Sequence, residues 1–263
     1  MKIGLALPHY GDATLDSVVG VAGEAERLGF DSVWVSDHLV FDLEKYGGTD
    51  EPIGCLEPLS TLAVLAAETE RVRLGTMVLC NEFRHPAVVA KQAAVIQQAS
   101  GGRLELGLGA GWYEREFDTF GIEFPPPGVR LRHLAESVTV IRRSFEGEPV
   151  PLHAPAPTIW VGGKGDRAIA LAARVGDGWN AAWFQDPQAY SERAVHLRDA
   201  GVRRSIGQYA QGSASEQVDR LQAFAALGVE HAVMCFSSVP FGLDDPDDVA
   251  RFASDVLPHV RDA

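Results

Sequence analysis

Thr158-Ile-Trp-Val-Gly-Gly-Lys-Gly-Asp166, followed by Arg167-Ala-Ile-Ala-Leu-Ala-Ala-Arg174, runs from a short apolar stretch through a glycine turn into a helical period. A strand that hands over to a helix this quickly is one βα unit. The same unit recurs along the chain. Short apolar or β-branched runs stand at residues 3–7, 32–36, 72–79, 104–108, 158–161, 205–209 and 232–236, with a weaker one at 178–181. Between them lie segments with apolar residues at i, i+3 and i+4, such as Leu15, Val18, Val19, Ala22, Ala25 and Leu28. Alternation of this kind implies right-handed crossovers and a parallel sheet. Eight repeats favour closure into a (β/α)8 TIM-type barrel, and 263 residues suit one such domain over 1–263.

The punctuation agrees. Gly29 stands where a left-handed helix C-cap is expected. Pro86 suits a first helical position, where its missing N–H costs nothing, and Gly101-Gly102 ends that helix. Ser213 with Glu216 forms a capping box for a helix running to Leu227, closed by Gly228. Two segments exceed the minimal repeat. Residues 39–55 form a long loop on the rim that carries active sites in barrels, as a lid would. Pro125-Pro126-Pro127-Gly128 reads as a stiff link into a helix starting near Leu131.

The chain carries 36 acidic and 23 basic residues, a net charge of −13. Such a surface repels nucleic acid and anionic lipid, so neither is expected as a partner. No apolar run approaches the ~20 residues that span a bilayer. The opening MKIGLALPHYG lacks the long apolar stretch and cleavage site of a secretory signal, which points to the cytoplasm. Cys55, Cys80 and Cys235 are odd in number and far apart, which argues against a disulfide framework. No Cys-x-x-Cys or His-x-x-x-His spacing occurs, so no metal site is expected.

Three strand ends carry candidate chemistry. In Gly162-Gly163-Lys164-Gly165 the glycines let backbone N–H groups approach a ligand at a helix start, and Lys164 adds positive charge. That design suits a phosphate, although the spacing is not that of a nucleotide P-loop, and a tight turn needs glycine too. Val33-Trp-Val-Ser-Asp-His38 places Asp37 and His38 at the end of the second strand, where a His can move a proton. Residues Leu106-Gly-Leu-Gly-Ala-Gly-Trp112 follow the fourth strand. Their glycine spacing does not match a dinucleotide fingerprint; they leave room either for a flat ring or for close packing. His9 and Asn81, after the first and third strands, and Trp112 are candidates for substrate-pocket walls. Trp160, Trp179 and Trp183 read as core packing.

Together these segments resemble the luciferase-like monooxygenase superfamily, whose members use flavin or the deazaflavin coenzyme F420. The resemblance runs through Phe30-Asp31-Ser-Val-Trp34, Ser36-Asp37-His38, Leu74-Gly-Thr-Met-Val-Leu79 and Phe83-Arg-His-Pro86. It continues through Gly107-Leu-Gly-Ala-Gly-Trp112, Trp160-Val-Gly-Gly163 and Ala172-Ala-Arg-Val-Gly-Asp-Gly-Trp179. It implies a cofactor bound across the carboxyl-terminal mouth of the barrel. Met77-Val78 matches a strand bulge, often with a non-proline cis peptide, that supports the ring. Ala110-Gly111 matches backbone bordering the cofactor, and Gly162-Gly163-Lys164-Gly165 matches the phosphate loop. Asp37-His38 favours F420 over flavin mononucleotide (FMN), which stays open. Both residues are expected at the cofactor, with His38 as proton partner and Asp37 orienting it or meeting the ring edge. Alternation along the strand implies that only one of them points inward.

The chain departs from the family's sugar-phosphate dehydrogenases, which place a glutamate where it has Trp112. An apolar or aromatic-walled pocket is expected instead. The leading expectation is an F420-dependent oxidoreductase that transfers a hydride between deazaflavin C5 and a C=C or C=N bond of a small organic substrate. The rivals are an FMN-dependent two-component monooxygenase, a non-catalytic cofactor-binding protein and a lyase or isomerase; the last lacks a Schiff-base Lys at a strand end. Family members are often dimers, which extends the expectation to a homodimer.

Overall fold

The computed structural model describes residues 1–197 and 200–261; of the expected domain span, residues 198, 199, 262 and 263 lie outside it. In chain order the elements begin with β1 (Lys2–Ala6), α1 (Leu15–Leu28), β2 (Ser32–Val35), α2 (Pro58–Glu68), β3 (Arg73–Thr76), β4 (Leu79–Cys80) and α3 (Pro86–Ser100). There follow β5 (Leu104–Gly109), α4 (Glu114–Phe120), α5 (Pro127–Phe145), β6 (Thr158–Gly162), α6 (Asp166–Val175) and β7 (Gly178–Ala181). The chain ends with α7 (Pro187–Ala194), β8 (Arg203–Tyr209), α8 (Ala214–Ala226), β9 (His231–Cys235), α9 (Pro246–Asp255) and α10 (Leu257–Val260). Every strand pairing is parallel. β1 pairs with both β2 and β9, and β3 pairs with β5, so the sheet closes on itself. β3 and β4 share one barrel position, giving the eight-position (β/α)8 barrel.

Local chemistry sets the boundaries. Gly29 caps α1 in the left-handed region at φ 91°, and Ser213 and Glu216 make the reciprocal box that starts α8. The helix expected near Leu131 begins four residues earlier. Pro127 occupies the first turn of α5, where a fixed φ and an absent N–H fit the helix, so the proline run leads into it directly.

Inside the barrel, large residues face missing side chains. A Cβ on Gly75 would stand 2.2 Å from the Trp34 ring, and one on Gly178 would stand 2.3 Å from Trp160. The two indoles therefore fill the lower barrel. Their N–H groups are satisfied there: Trp34 donates to Ser32 Oγ at 2.7 Å and Trp160 donates to Glu105 at 2.6 Å. Glu105 in turn pairs with Arg73. A cavity opens above them, where the strands end. Among the described residues no helix is long and apolar enough to cross a membrane.

The fit can be tested by a pair of substitutions. Gly75→Ala should destabilise the fold by about 1–3 kcal/mol through overpacking, read as a lower urea midpoint. Gly20→Ala, on α1 with nothing within 4 Å, should instead raise it slightly, by roughly 0.5–1 kcal/mol.

Candidate active site

The run expected as a single strand over 72–79 breaks at Met77-Val78, whose peptide is cis. Thr76 bridges the break: its hydroxyl donates to the Gly107 carbonyl and accepts from the Gly107 N–H, both at 2.8 Å. Val78 then occupies the space of absent side chains. A Cβ on Gly109 would lie 2.5 Å from Val78, and Cβ atoms on Gly107 and Gly162 would lie 2.9 Å from it. Of the glycines after the fourth strand position, Gly107 and Gly109 thus make room for this bulge, and Gly109 and Gly111 are also among the cavity-lining residues. Above it lies a cavity of about 510 Å³, within the usual range for small-molecule sites. Met77, Val78, Ala110, Gly111 and Gly162 are among its lining residues.

One end of the cavity is electropositive. α6 begins at Gly165 with no side-chain cap, so its first N–H groups remain for a ligand. Gly163 turns this corner at φ 144°, and a Cβ there would meet Ala168 at 2.7 Å. Gly162, Gly163, Lys164 and Gly165 all line the cavity. The Lys164 ammonium donates to the Trp183 carbonyl at 3.3 Å and lies 4.9 Å from the Phe184 ring centre. Burial and the nearby Lys45 push its pKa below the usual lysine range.

At another wall stands His38. Its Nδ1 lies 3.2 and 3.3 Å from the two carboxylate oxygens of Glu116, and Glu116 also accepts from the Leu39 N–H at 2.9 Å. A carboxylate accepts, so Nδ1 is the nitrogen that donates. The expectation that Asp37 orients His38 is not met. Asp37 accepts from Arg84 at 2.6 and 2.9 Å and from the Cys80 N–H at 2.8 Å. It anchors the strand end after the bulge. Both Asp37 and His38 line the cavity, because β2 ends at Val35 and strand alternation no longer applies.

Two expected pocket residues lie elsewhere. His9 is 1% exposed, with Nδ1 2.8 Å from the Leu7 carbonyl and Nε2 3.1 Å from the Ser36 N–H. Asn81 opens a 3-10 turn and turns its amide to Glu82, 3.4 Å away. Neither is part of the cavity lining; Trp112 is. The 39–55 segment contributes Phe41, Lys45 and Tyr46. It is held by bridges of Phe41 to Ile53 and of Tyr10 to Cys55, and by Lys45, 4.4 Å from the Trp112 ring centre. Sequence reasoning missed Glu116, Tyr10 and Arg130. The one available signal for Glu116 was an acid in the first turn of a helix directly after a glycine-rich strand end.

The sequence profile of the luciferase-like monooxygenase family matches residues 1–215. The chain belongs to that family. It is 32% identical over 213 residues to an F420-dependent glucose-6-phosphate dehydrogenase of Microbacterium testaceum, covering 75% of this chain and 60% of the relative. A protein of the same description from Beutenbergia cavernae is 31% identical over 262 residues, 91% of this chain and 75% of its own length. The chain therefore spans less than two thirds of the first relative and three quarters of the second. Among solved structures, an F420-dependent secondary alcohol dehydrogenase in complex with an F420-acetone adduct shares the fold. The TM-score is 0.81 at 19% identity, covering 99% of both chains.

Burial makes two histidines into pH-sensitive weak points. Desolvation, against the pull of the Leu7 and Ser36 backbone, takes His9 from its ordinary 6.5 to about 4. Desolvation, aided by nearby Lys2, Arg203 and Arg73, takes His231 to about 3. Both stay neutral when folded and bind protons when unfolded, so their contribution is whole above pH 6.5. It is lost as pH falls through 6.5 toward 4 and 3. At pH 5 each should have lost roughly 2 kcal/mol. Urea unfolding at pH 7 and pH 5 measures this, and His9→Gln should show the smaller drop.

Proposed function

We propose that this protein is an F420-dependent oxidoreductase transferring a hydride between deazaflavin C5 and a C=C or C=N bond of a small organic substrate. One observation carries the reading. A single cavity joins the uncapped start of α6, with Lys164, to the His38–Glu116 pair, across an apolar Met77-Val78 floor. That arrangement fits a flat ring with a phosphorylated chain: N–H groups and a cation for the phosphate, apolar surface for the ring. The F420-dependent relatives support the choice of coenzyme. When bound, the deazaflavin supplies a carbon that gives or takes hydride.

The protein's part is binding and proton handling. Gly162, Gly163, Lys164 and Gly165 hold the phosphate. Met77, Val78, Ala110 and Gly111 support and border the ring. Asp37 acts at the cofactor indirectly, by holding the Cys80 end of the bulge in place through its bonds to Arg84 and the Cys80 N–H. His38 Nε2 exchanges a proton with the substrate, and Glu116 keeps the ring in the tautomer that allows it. Tyr10, Phe41, Trp112 and Trp183 give the substrate side aromatic walls. They favour an apolar or aromatic substrate over a sugar phosphate.

Parallel equilibrium titrations with F420 and FMN test the coenzyme. F420 should bind at least about tenfold tighter, and the reverse order overturns the assignment in favour of the flavin monooxygenase. Gly163→Ala and Lys164→Ala should each weaken that binding. Turnover by the F420-loaded chain, assayed on a panel of alkenes, imines and alcohols, tests the proton role. His38→Ala should lower kcat by about 10²–10⁴-fold, and Glu116→Gln by less. A His38→Ala enzyme with full kcat and weakened cofactor binding would falsify that role.

A further inference from the structure

The 39–55 segment joins the rest of the molecule at few points. At one end the Leu39 N–H donates to Glu116, and at the other the Gly11 N–H donates to the Gly54 carbonyl at 2.9 Å. Between these ends Phe41 and Ile53 exchange N–H···O bonds of 2.9 and 2.7 Å, so the intervening stretch is a flap closed on itself. Among its described residues Phe41 and Asp42 are the buried ones, and most of the others are exposed. The Phe41 ring centre lies 4.5 Å from that of His38, 5.6 Å from Tyr10 and 6.1 Å from Trp112. Asp42 accepts from the Tyr113 hydroxyl and, at 3.0 Å, from Arg115 Nη1, which also donates to the Asp50 carbonyl at 3.2 Å. Phe41, Lys45 and Tyr46 line the cavity. The seam itself is loose. A hollow of about 410 Å³ separates Phe41, Asp42 and Lys45 on the flap from Trp112 and Tyr113 at the start of α4. Interiors are close-packed, so a seam with such a gap is held by its few discrete contacts.

We propose that residues 41–53 are a flap that gates the cavity, and that Asp42, gripped by Tyr113 and Arg115, is the latch that holds it shut. Opening draws Phe41 out of the ring cluster and Asp42 off its two donors, while the Phe41–Ile53 pair inside the flap is kept. The bonded ends at Leu39 and Gly54 are the hinges, and the barrel strands stay in place. Arg115 is half exposed, so water and salt compete with it for Asp42, and the closed state is only moderately favoured. Arg115 and Glu116 are neighbours on α4, so the helix that orients His38 also carries the latch. The inference rests on this geometry and holds for either coenzyme.

Two cysteines report on the gate. Cys80 lines the cavity, whereas Cys235 is buried in the barrel, so their labelling rates separate cavity access from unfolding. Burial pushes the Cys80 thiol up, so it reacts slowly while the cavity is shut. Reaction with methyl methanethiosulfonate is followed by peptide mass spectrometry on the full chain without coenzyme, which keeps the result independent of the coenzyme titration. Tyr113→Phe with Arg115→Ala leaves Asp42 without a side-chain donor. Cys80 should then react about tenfold faster, with Cys235 unchanged. Asp42→Ala alone should also speed Cys80, and adding it to the double variant should bring no further rise, because the three side chains act as one unit. In the unmodified chain about 1 M salt should speed Cys80 roughly twofold, and in Asp42→Ala it should not. A gain at Cys80 below about threefold in the double variant overturns the proposal. Equal acceleration of Cys235 does the same, since the opening would then be global. A salt response that survives Asp42→Ala, or a further rise in the triple variant, overturns the latch.

Discussion

Val78 fills a hole left by the absence of side chains at Gly107, Gly109 and Gly162, and the site depends on that fit. Interiors are close-packed, so a side chain pushed into a barrel wall needs matching space on the neighbouring strands. With Val78 seated, the chain resumes as β4 alongside β5, at Leu79–Leu108 and Cys80–Gly109. That delivers the Cys80 N–H to Asp37, and Asp37 to Arg84. Such a buried ion pair contributes little net stability, but removing one partner leaves a charge without compensation. The bulge, the floor of the cavity and the second strand end are therefore one mechanical unit.

Electrostatics separates the two ends of the cavity. The molecule is acidic overall, yet the α6 start, Lys164 and Lys45 make one region positive. Short-range dipoles and cations prevail there because distant surface charge is screened over about 10 Å. At the His38 end Glu116 is bonded to one ring nitrogen of His38, and the Tyr10 hydroxyl is bonded to Ser36 Oγ.

The barrel was legible because its cause is local. Runs of alternating period, Gly29, Ser213-Glu216 and the glycine turn at 162–165 act within a few residues of themselves. The glycine corner at the start of α6 was legible for the same reason, since a strand, a glycine turn and a helix start are consecutive. Asp37-His38 was visible as a pair, and its adjacency suggested a partnership that the structure does not form. His38 finds its carboxylate 78 residues away, on α4. His9 was visible at a strand end, but nothing in its neighbours tells a rim residue from one folded inward onto Leu7 and Ser36.

By itself, then, the sequence determined the repeat, the closure and the glycine corner that opens α6, because hydrogen bonding and apolar periodicity act over one or two turns of chain. Tertiary structure alone decided that Glu116 orients His38, that Asp37 serves Arg84 and Cys80, and that Gly107 and Gly109 make room for Val78. It also brought Tyr10, Ser36 and His9 into one hydrogen-bonded chain. These pairings bring together residues from different βα units, and their distances exist only once the barrel has closed.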